Sequence, residues 1–118
     1  VFYGLGDQDI MYIERAGRVS DESALAFAER VMDSYQTHYG ERFSVVQCPH
    51  TCEIDGIEAV SVIYQLKSSY DQIRMEQRLF VVLAGYGYTI TYGDSEVNFP
   101  QGVSRLEQVL AEWRWLIV

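Results

Sequence analysis

Cys48, Pro49, His50, Thr51 and Cys52 form the segment most suited to chemistry, two thiols four residues apart with an imidazole between them. Thiolate and imidazole both ligate zinc, yet a closed structural site takes four ligands and the only other histidine is His38. The ligand set is short unless acids or a second subunit complete it. As a redox pair, Cys48 and Cys52 stand one residue further apart than a C-x-x-C motif, and the flanking pattern places them between strands. A helix N-terminus, which would lower a thiol pKa, is not at hand. The plain alternative is a turn carrying two incidental thiols, or a local disulfide across that turn.

Other candidate constellations each lack a member. Gly85, Tyr86 and Gly87 resemble part of a phosphate loop, but such a loop opens a helix whose amides meet the phosphate, and here a strand pattern follows. The acid pairs Asp7/Asp9 and Asp94/Glu96 lack the ligand count and glycine placement of a calcium loop, so they read as solvated turn acids. There is no G-x-S-x-G elbow. His38, near the end of a predicted helix, suits the negative end of that helix better than a proton-transfer role. The sequence therefore predicts no catalytic residue, no metal site and no cofactor.

The elements that must position these residues are read from periodicity. Residues 1–5 and 10–14 form two short apolar runs around a polar turn. A helix follows, capped by Ser20 or Asp21, with Asp21 and Glu22 in its first turn and Gly40 as its stop. Leu25, Ala28, Val31 or Met32, Tyr35 and Tyr39 make its apolar stripe. The pattern then changes to alternation. Phe43 to Gln47 is a strand, and Asp55-Gly56 signals a two-residue hairpin. Val60, Val62, Tyr64 and Leu66 share one face of the next strand. After a turn over Ser68 to Asp71, Ile73, Met75, Leu79, Val81 and Leu83 share one face of a long strand, and Gly85 to Gly87 reverses the chain. Tyr88, Ile90 and Tyr92 then oppose Thr89 and Thr91. A polar loop with Pro100 leads to a second amphipathic helix through Val103, Leu106, Val109 or Leu110 and Trp113. The order β-β-α-β-β-β-β-α predicts an α+β domain, an antiparallel meander with two helices packed on it.

At 118 residues the chain has the size of one domain, 1–118, with 48% hydrophobic residues to build a core. Its longest apolar runs fall short of the ~20 residues of a membrane-spanning helix. The formal charge is −8 and the bases are scattered, which argues against nucleic acid as a partner. Residue 1 is Val, and no intact targeting signal is visible. A cytoplasmic location is the expectation, or a periplasmic or exported one where an N-terminal segment has been removed.

Taken together, the run Asp9 to Arg15, the helix start Ser23 to Ala28, the hairpin Glu53 to Ala59, the strand pair Glu76 to Ala84 and Tyr86 to Tyr92, and the closing helix ending Val109 to Trp115 resemble the DcrB/PsbP-like domains. The resemblance spans nearly the whole chain, although a first strand with Pro and Trp usual in that family is missing. Within it, the pattern looks most like the effector-associated chaperones of bacterial type VI secretion. That resemblance implies a small, acidic, dimeric protein without catalytic residues, whose sheet grips hydrophobic helices of a secreted effector. The expected function is thus non-enzymatic protein binding, as a chaperone or adaptor; the alternative is small-molecule binding or thiol redox chemistry at Cys48 and Cys52. Ile63 and Gln65, with Phe80, Val82, Thr89 and Thr91, are the expected partner-binding face, on the assumption that Val60, Val62, Tyr64 and Leu66 turn the other way toward the helices; the alternative is a three-layer domain in which one helix covers each face and nothing is left to bind. Phe27, Trp115 and Ile117, as surplus apolar surface, suggest a homodimer.

Overall fold

A computed structural model of the chain describes residues 2–3, 10–18, 23–68 and 72–113. Among the described residues, six strands form one antiparallel sheet: β1 (Phe2–Tyr3), β2 (Ile10–Arg18), β3 (Phe43–Ile54), β4 (Ile57–Lys67), β5 (Ile73–Leu83) and β6 (Tyr86–Ser95). The order across the sheet is β1-β2-β6-β5-β4-β3. Helix α1 (Ala24–Tyr39) sits between β2 and β3 in the chain, and α2 (Phe99–Ala111) follows β6. The predicted succession of elements is the observed one.

Local chemistry accounts for most boundaries. Ser23 caps α1, its hydroxyl accepting from the Ala26 amide at 3.1 Å. Ser20 and Asp21, expected in that role, lie outside the described residues, and the helix has no acid in its first turn. Gly40, at φ 58°, ends it as expected, its N–H donating to the Gln36 carbonyl. The β3–β4 hairpin turns on Asp55 and Gly56, both at positive φ (51° and 78°), the mirror-image turn that matches strand twist. The β5–β6 hairpin uses the same geometry at Ala84 and Gly85 (φ 53° and 81°). Tyr86 and Gly87, expected in that turn, are already in β6. Pro100 lies in the first turn of α2 rather than in a loop, where its missing N–H costs no intrahelical bond.

The largest departure concerns Cys48 to Cys52, expected as a turn. The chain continues through it as one strand to Ile54. Pro49 cannot donate to a ladder, but β3 is the edge of the sheet, and register shifts between Val45 and Gln47 and between Gln47 and His50 take up the irregularity. A proline and bulges on a long edge also hinder pairing with another chain.

The two helices lie on opposite faces, giving three layers. On one face, α1 packs Ala24, Phe27, Ala28 and Met32 onto Phe43, Val60, Val62, Tyr64 and Phe80. On the other, α2 packs Phe99 and Leu106 onto Ile54, Ala59, Leu79, Val81, Ile90 and Tyr92. Each fully buried large side chain contributes on the order of 1.5–3 kcal/mol. Phe27, read from sequence as surplus surface for a dimer, is wholly buried against Phe80 in this core. Trp115 and Ile117 lie outside the described residues.

Candidate functional site

Neither helix spans the whole sheet. Helix α1 lies over β3, β4 and β5, whereas α2 lies over β6 and β5. Each face therefore keeps one half that no described helix covers: on the α2 side, the length of β3 and β4 away from their turn; on the α1 side, β6 and β2.

The residues expected as one partner-binding face divide between these halves. Ile63 and Gln65 lie on the α2 side, half-buried, with Ile63 packing at the border of the α2 core. Phe80, Val82, Thr89 and Thr91 lie on the α1 side. The cause is the register: Val60 pairs with Phe80 and Phe80 with Thr89, so all three point one way. Phe80 is fully buried beneath α1 and Val82 packs beside the same core. The six do not form one surface.

The open half on the α2 side is built of amides and apolar groups. Gln47, Ile63 and Gln77 stand abreast on β3, β4 and β5, with Ser61 and Gln65 as their neighbours along β4. Gln77 Nε2 donates to Ser61 Oγ at 3.0 Å, while Gln77 Oε1 is buried with no hydrogen-bond partner. An amide oxygen withdrawn from water and left unpaired costs about 1–3 kcal/mol.

On the α1 side, the part of the sheet toward β6 and β2 holds a tyrosine cage around a guanidinium. Arg78, on β5, is buried; its Nη2 donates to the Tyr12 hydroxyl at 3.3 Å, and its Cζ lies 5.0 Å from the Tyr35 ring centroid and 6.0 Å from that of Tyr64. The bond from β5 to β2 passes over Thr91 of β6, which pairs with both Arg78 and Tyr12 and has no exposed surface. Beside it, Glu76 accepts from the Tyr64 hydroxyl at 2.5 Å and from Arg74 Nε at 3.1 Å. Burial pushes the Tyr64 hydroxyl far above the usual tyrosine range, with the Glu76 charge adding to it, so it remains a proton donor. These residues were not singled out from the sequence. The available signal was that Arg74, Glu76 and Arg78 share strand parity with Phe80 and Val82, charges on an otherwise buried face.

Thr89 and Thr91 are both buried, and neither Oγ1 has a hydrogen-bond partner. Replacing Thr91 with Val, which keeps the shape and removes the orphaned hydroxyl, is expected to stabilise the protein by about 1 kcal/mol in urea unfolding. A loss of stability would mean that this hydroxyl is bonded.

Both thiols are free, Cys48 exposed and Cys52 half-buried beside the α2 core. Four residues of extended chain span roughly 13 Å, against the ~7 Å limit between Cα atoms for a disulfide. A bridge would therefore require β3 to break. Burial raises the Cys52 thiol pKa, which leaves less thiolate. Under limiting iodoacetamide, Cys48 is expected to be alkylated well before Cys52, as peptide mass spectrometry would show; equal rates would overturn this order. His50 is exposed on the same strand. Among the described residues, no group of three His, Cys, Asp or Glu side chains is placed to hold a metal ion.

Of the acid pairs, Asp94 is buried and accepts from the Tyr92 hydroxyl at 2.8 Å and the Ser95 amide at 2.7 Å, an anchoring role rather than that of a solvated turn acid. Asp7 and Asp9 lie outside the described residues. His38 occupies the last turn of α1, as its position in the sequence implied, with its ring against Tyr39.

Comparison with solved structures shows that the fold is PsbP-like. The crystal structure of PA94 from Pseudomonas aeruginosa, a protein of unknown function, matches 96% of this chain and 87% of its own, with a TM-score of 0.65 and 15% identity. The solution structure of cyanobacterial PsbP, CyanoP, from Synechocystis sp. PCC 6803 matches 91% of this chain and 66% of its own, with a TM-score of 0.64 and 14% identity. No family model matches the sequence, and no curated protein does. Among the described residues, no helix is long and apolar enough to cross a membrane.

Proposed function

We propose that this protein is a non-enzymatic binding domain, a small acidic chaperone or adaptor whose sheet receives an apolar helix of a secreted effector. The observation that carries the reading is the open half of the sheet on the α2 side. There Ile63 offers apolar contact and Gln47 and Gln65 offer donors and acceptors, while Gln77, bonded to the buried Ser61, leaves its Oε1 without a partner. An amphipathic helix laid in such a groove exchanges water for apolar contact, and its polar side chains meet the amides. Of the residues expected from sequence, Ile63 and Gln65 remain in this role; the others belong to the opposite face.

The test is isolation of the protein from its native host with Ile63→Asp as the variant, its fold checked by circular dichroism. A secreted protein with apolar helical segments, retained by the wild type and lost from the variant, is the expected result. A partner held at full affinity by the folded variant would overturn the assignment of this face. Self-association belongs to the same proposal, and light scattering showing a strict monomer at high micromolar concentration would count against it. Thiol or metal chemistry at Cys48 and Cys52 is the competing reading; stoichiometric zinc, or redox turnover abolished by Cys48→Ser, would favour it.

A further inference from the structure

The cage around Arg78 is on the other face of the sheet, and its chemistry is independent of helix binding. A guanidinium receives a carboxylate best along its Nε/Nη2 edge, through two parallel hydrogen bonds. In Arg78 that edge is nearly unused: Nε is buried without a partner, and Nη2 has the Tyr12 hydroxyl at 3.3 Å. Two further groups without hydrogen-bond partners, Thr89 Oγ1 and Thr91 Oγ1, lie on the same face. Thr91 is directly abreast of Arg78 and Thr89 is two residues along. Both threonines are more than nine-tenths buried.

The charge balance points the same way. Arg74, Glu76 and Arg78 alternate along one face of β5, and the single carboxylate among them is engaged by Arg74 and by Tyr64. Among the described residues, Arg78 thus has no carboxylate hydrogen-bonded to it, within a protein of net charge −8. Glu76 acts on Arg78 only through space, and a buried charge without a hydrogen-bonded counterion costs several kcal/mol. The other ionisable groups facing Arg78 are the tyrosine hydroxyls of Tyr12, Tyr35 and Tyr64, and Glu14, abreast of Thr89 on β2, is exposed at the rim.

We infer that Arg78, with Thr89 and Thr91 as hydroxyl donors and Tyr12 as a displaceable roof, is a binding site for the carboxylate group of a small acid. A monoanion matches the single charge of Arg78, whereas a phosphate dianion would overcompensate it beside Glu14 and Glu76. Thr91 has no exposed surface and Thr89 almost none, so entry requires the half-buried Tyr12 ring, held by its long hydrogen bond, to swing aside.

The test follows the Arg78 Nε–Hε resonance by proton–nitrogen NMR while sodium acetate or sodium benzoate is added at constant ionic strength against sodium chloride. A saturable downfield shift with the carboxylates and none with chloride is expected. Inorganic phosphate should bind at least tenfold more weakly. Tyr12→Phe, which removes the competing hydroxyl, should tighten benzoate binding severalfold, and Thr91→Val should weaken it by about fivefold. Arg78→Lys keeps the charge but loses the fork, and should weaken binding more than tenfold. Where that variant fails to fold, the opposite signs expected for Tyr12→Phe and Thr91→Val decide the matter. Equal shifts with chloride, preference for phosphate, absence of saturation, or the same sign in the two variants would each overturn the site. None of these outcomes bears on the helix-binding face, whose test reads a protein partner.

Discussion

Phe80→Ala is expected to destabilise the protein by about 3–5 kcal/mol in urea or thermal unfolding, the largest effect of any single truncation in the sheet. Phe80 has no exposed surface, and its ring meets that of Phe27 edge-to-face, with centroids 5.2 Å apart and planes at 87°. Truncation loses the transfer energy of the ring and leaves a cavity between helix and sheet. It also removes the aromatic pair, itself worth about 0.5–1.5 kcal/mol. Val60 and Val62 sit on the neighbouring strand and cannot close that space without moving the backbone of β4. A cost below 1 kcal/mol would mean that α1 is not packed as described.

Gly102→Ala is the second large effect, and it acts by excess volume rather than by a void. Gly102 faces the sheet from α2, and a Cβ there would overlap the Tyr92 hydroxyl and ring. Tyr92 has little freedom to yield. Its ring stacks on Phe99, with centroids 5.6 Å apart, and its hydroxyl donates to the buried Asp94 at 2.8 Å. The added methyl must push α2 away or break that hydrogen bond. The expected loss is about 3 kcal/mol, at the upper end of overpacking costs. The Gly102→Ala, Tyr92→Phe double variant should recover part of it, because the ring then lacks the oxygen that clashes. An unchanged melting temperature for Gly102→Ala would rule out this docking of α2.

The sequence disclosed strand alternation correctly but not how one strand's faces relate to the next. Val60, Val62, Tyr64 and Leu66 do share a face, as do Leu79, Val81 and Leu83, and as do Tyr88, Ile90 and Tyr92. Between β5 and β6 the faces match as expected, although the turn is the two-residue Ala84-Gly85 rather than Gly85 to Gly87. Between β4 and β5 they do not. Lys67 pairs with Ile73 across a longer loop, and a loop of that kind can close with either parity. The expectation placed Val60 with Leu79; the register puts it with Phe80. One step of parity moved Phe80 from a binding surface to the centre of the core, and the Arg78 cage escaped notice for the same reason. Charged residues alternating with apolar ones read as a solvated face unless the neighbouring strand shows that face to be covered. The edge strand was underestimated for another reason: Pro49 is a turn signal in most contexts, and only its place at the rim of the sheet makes it admissible in a ladder.

Strand order has a consequence for how the molecule assembles. From β3 to β6 each strand pairs with the one made just before it, so that ladder can close by successive local hairpins. β2 is different, because its long partner is β6 and Met11 must find Tyr92 after α1 and three strands have intervened. Contacts so distant in sequence are entropically late and slow the approach to the native state. While the ladder forms, β2 has only the two-residue β1 beside it and β6 is a temporary edge. In pulsed hydrogen exchange during refolding, amides of β4 and β5 should gain protection before those of β2. Simultaneous protection would show that the sheet closes in one step. A ribosome-bound chain that ends before Ser95 would therefore hold an N-terminal strand with nothing to dock against.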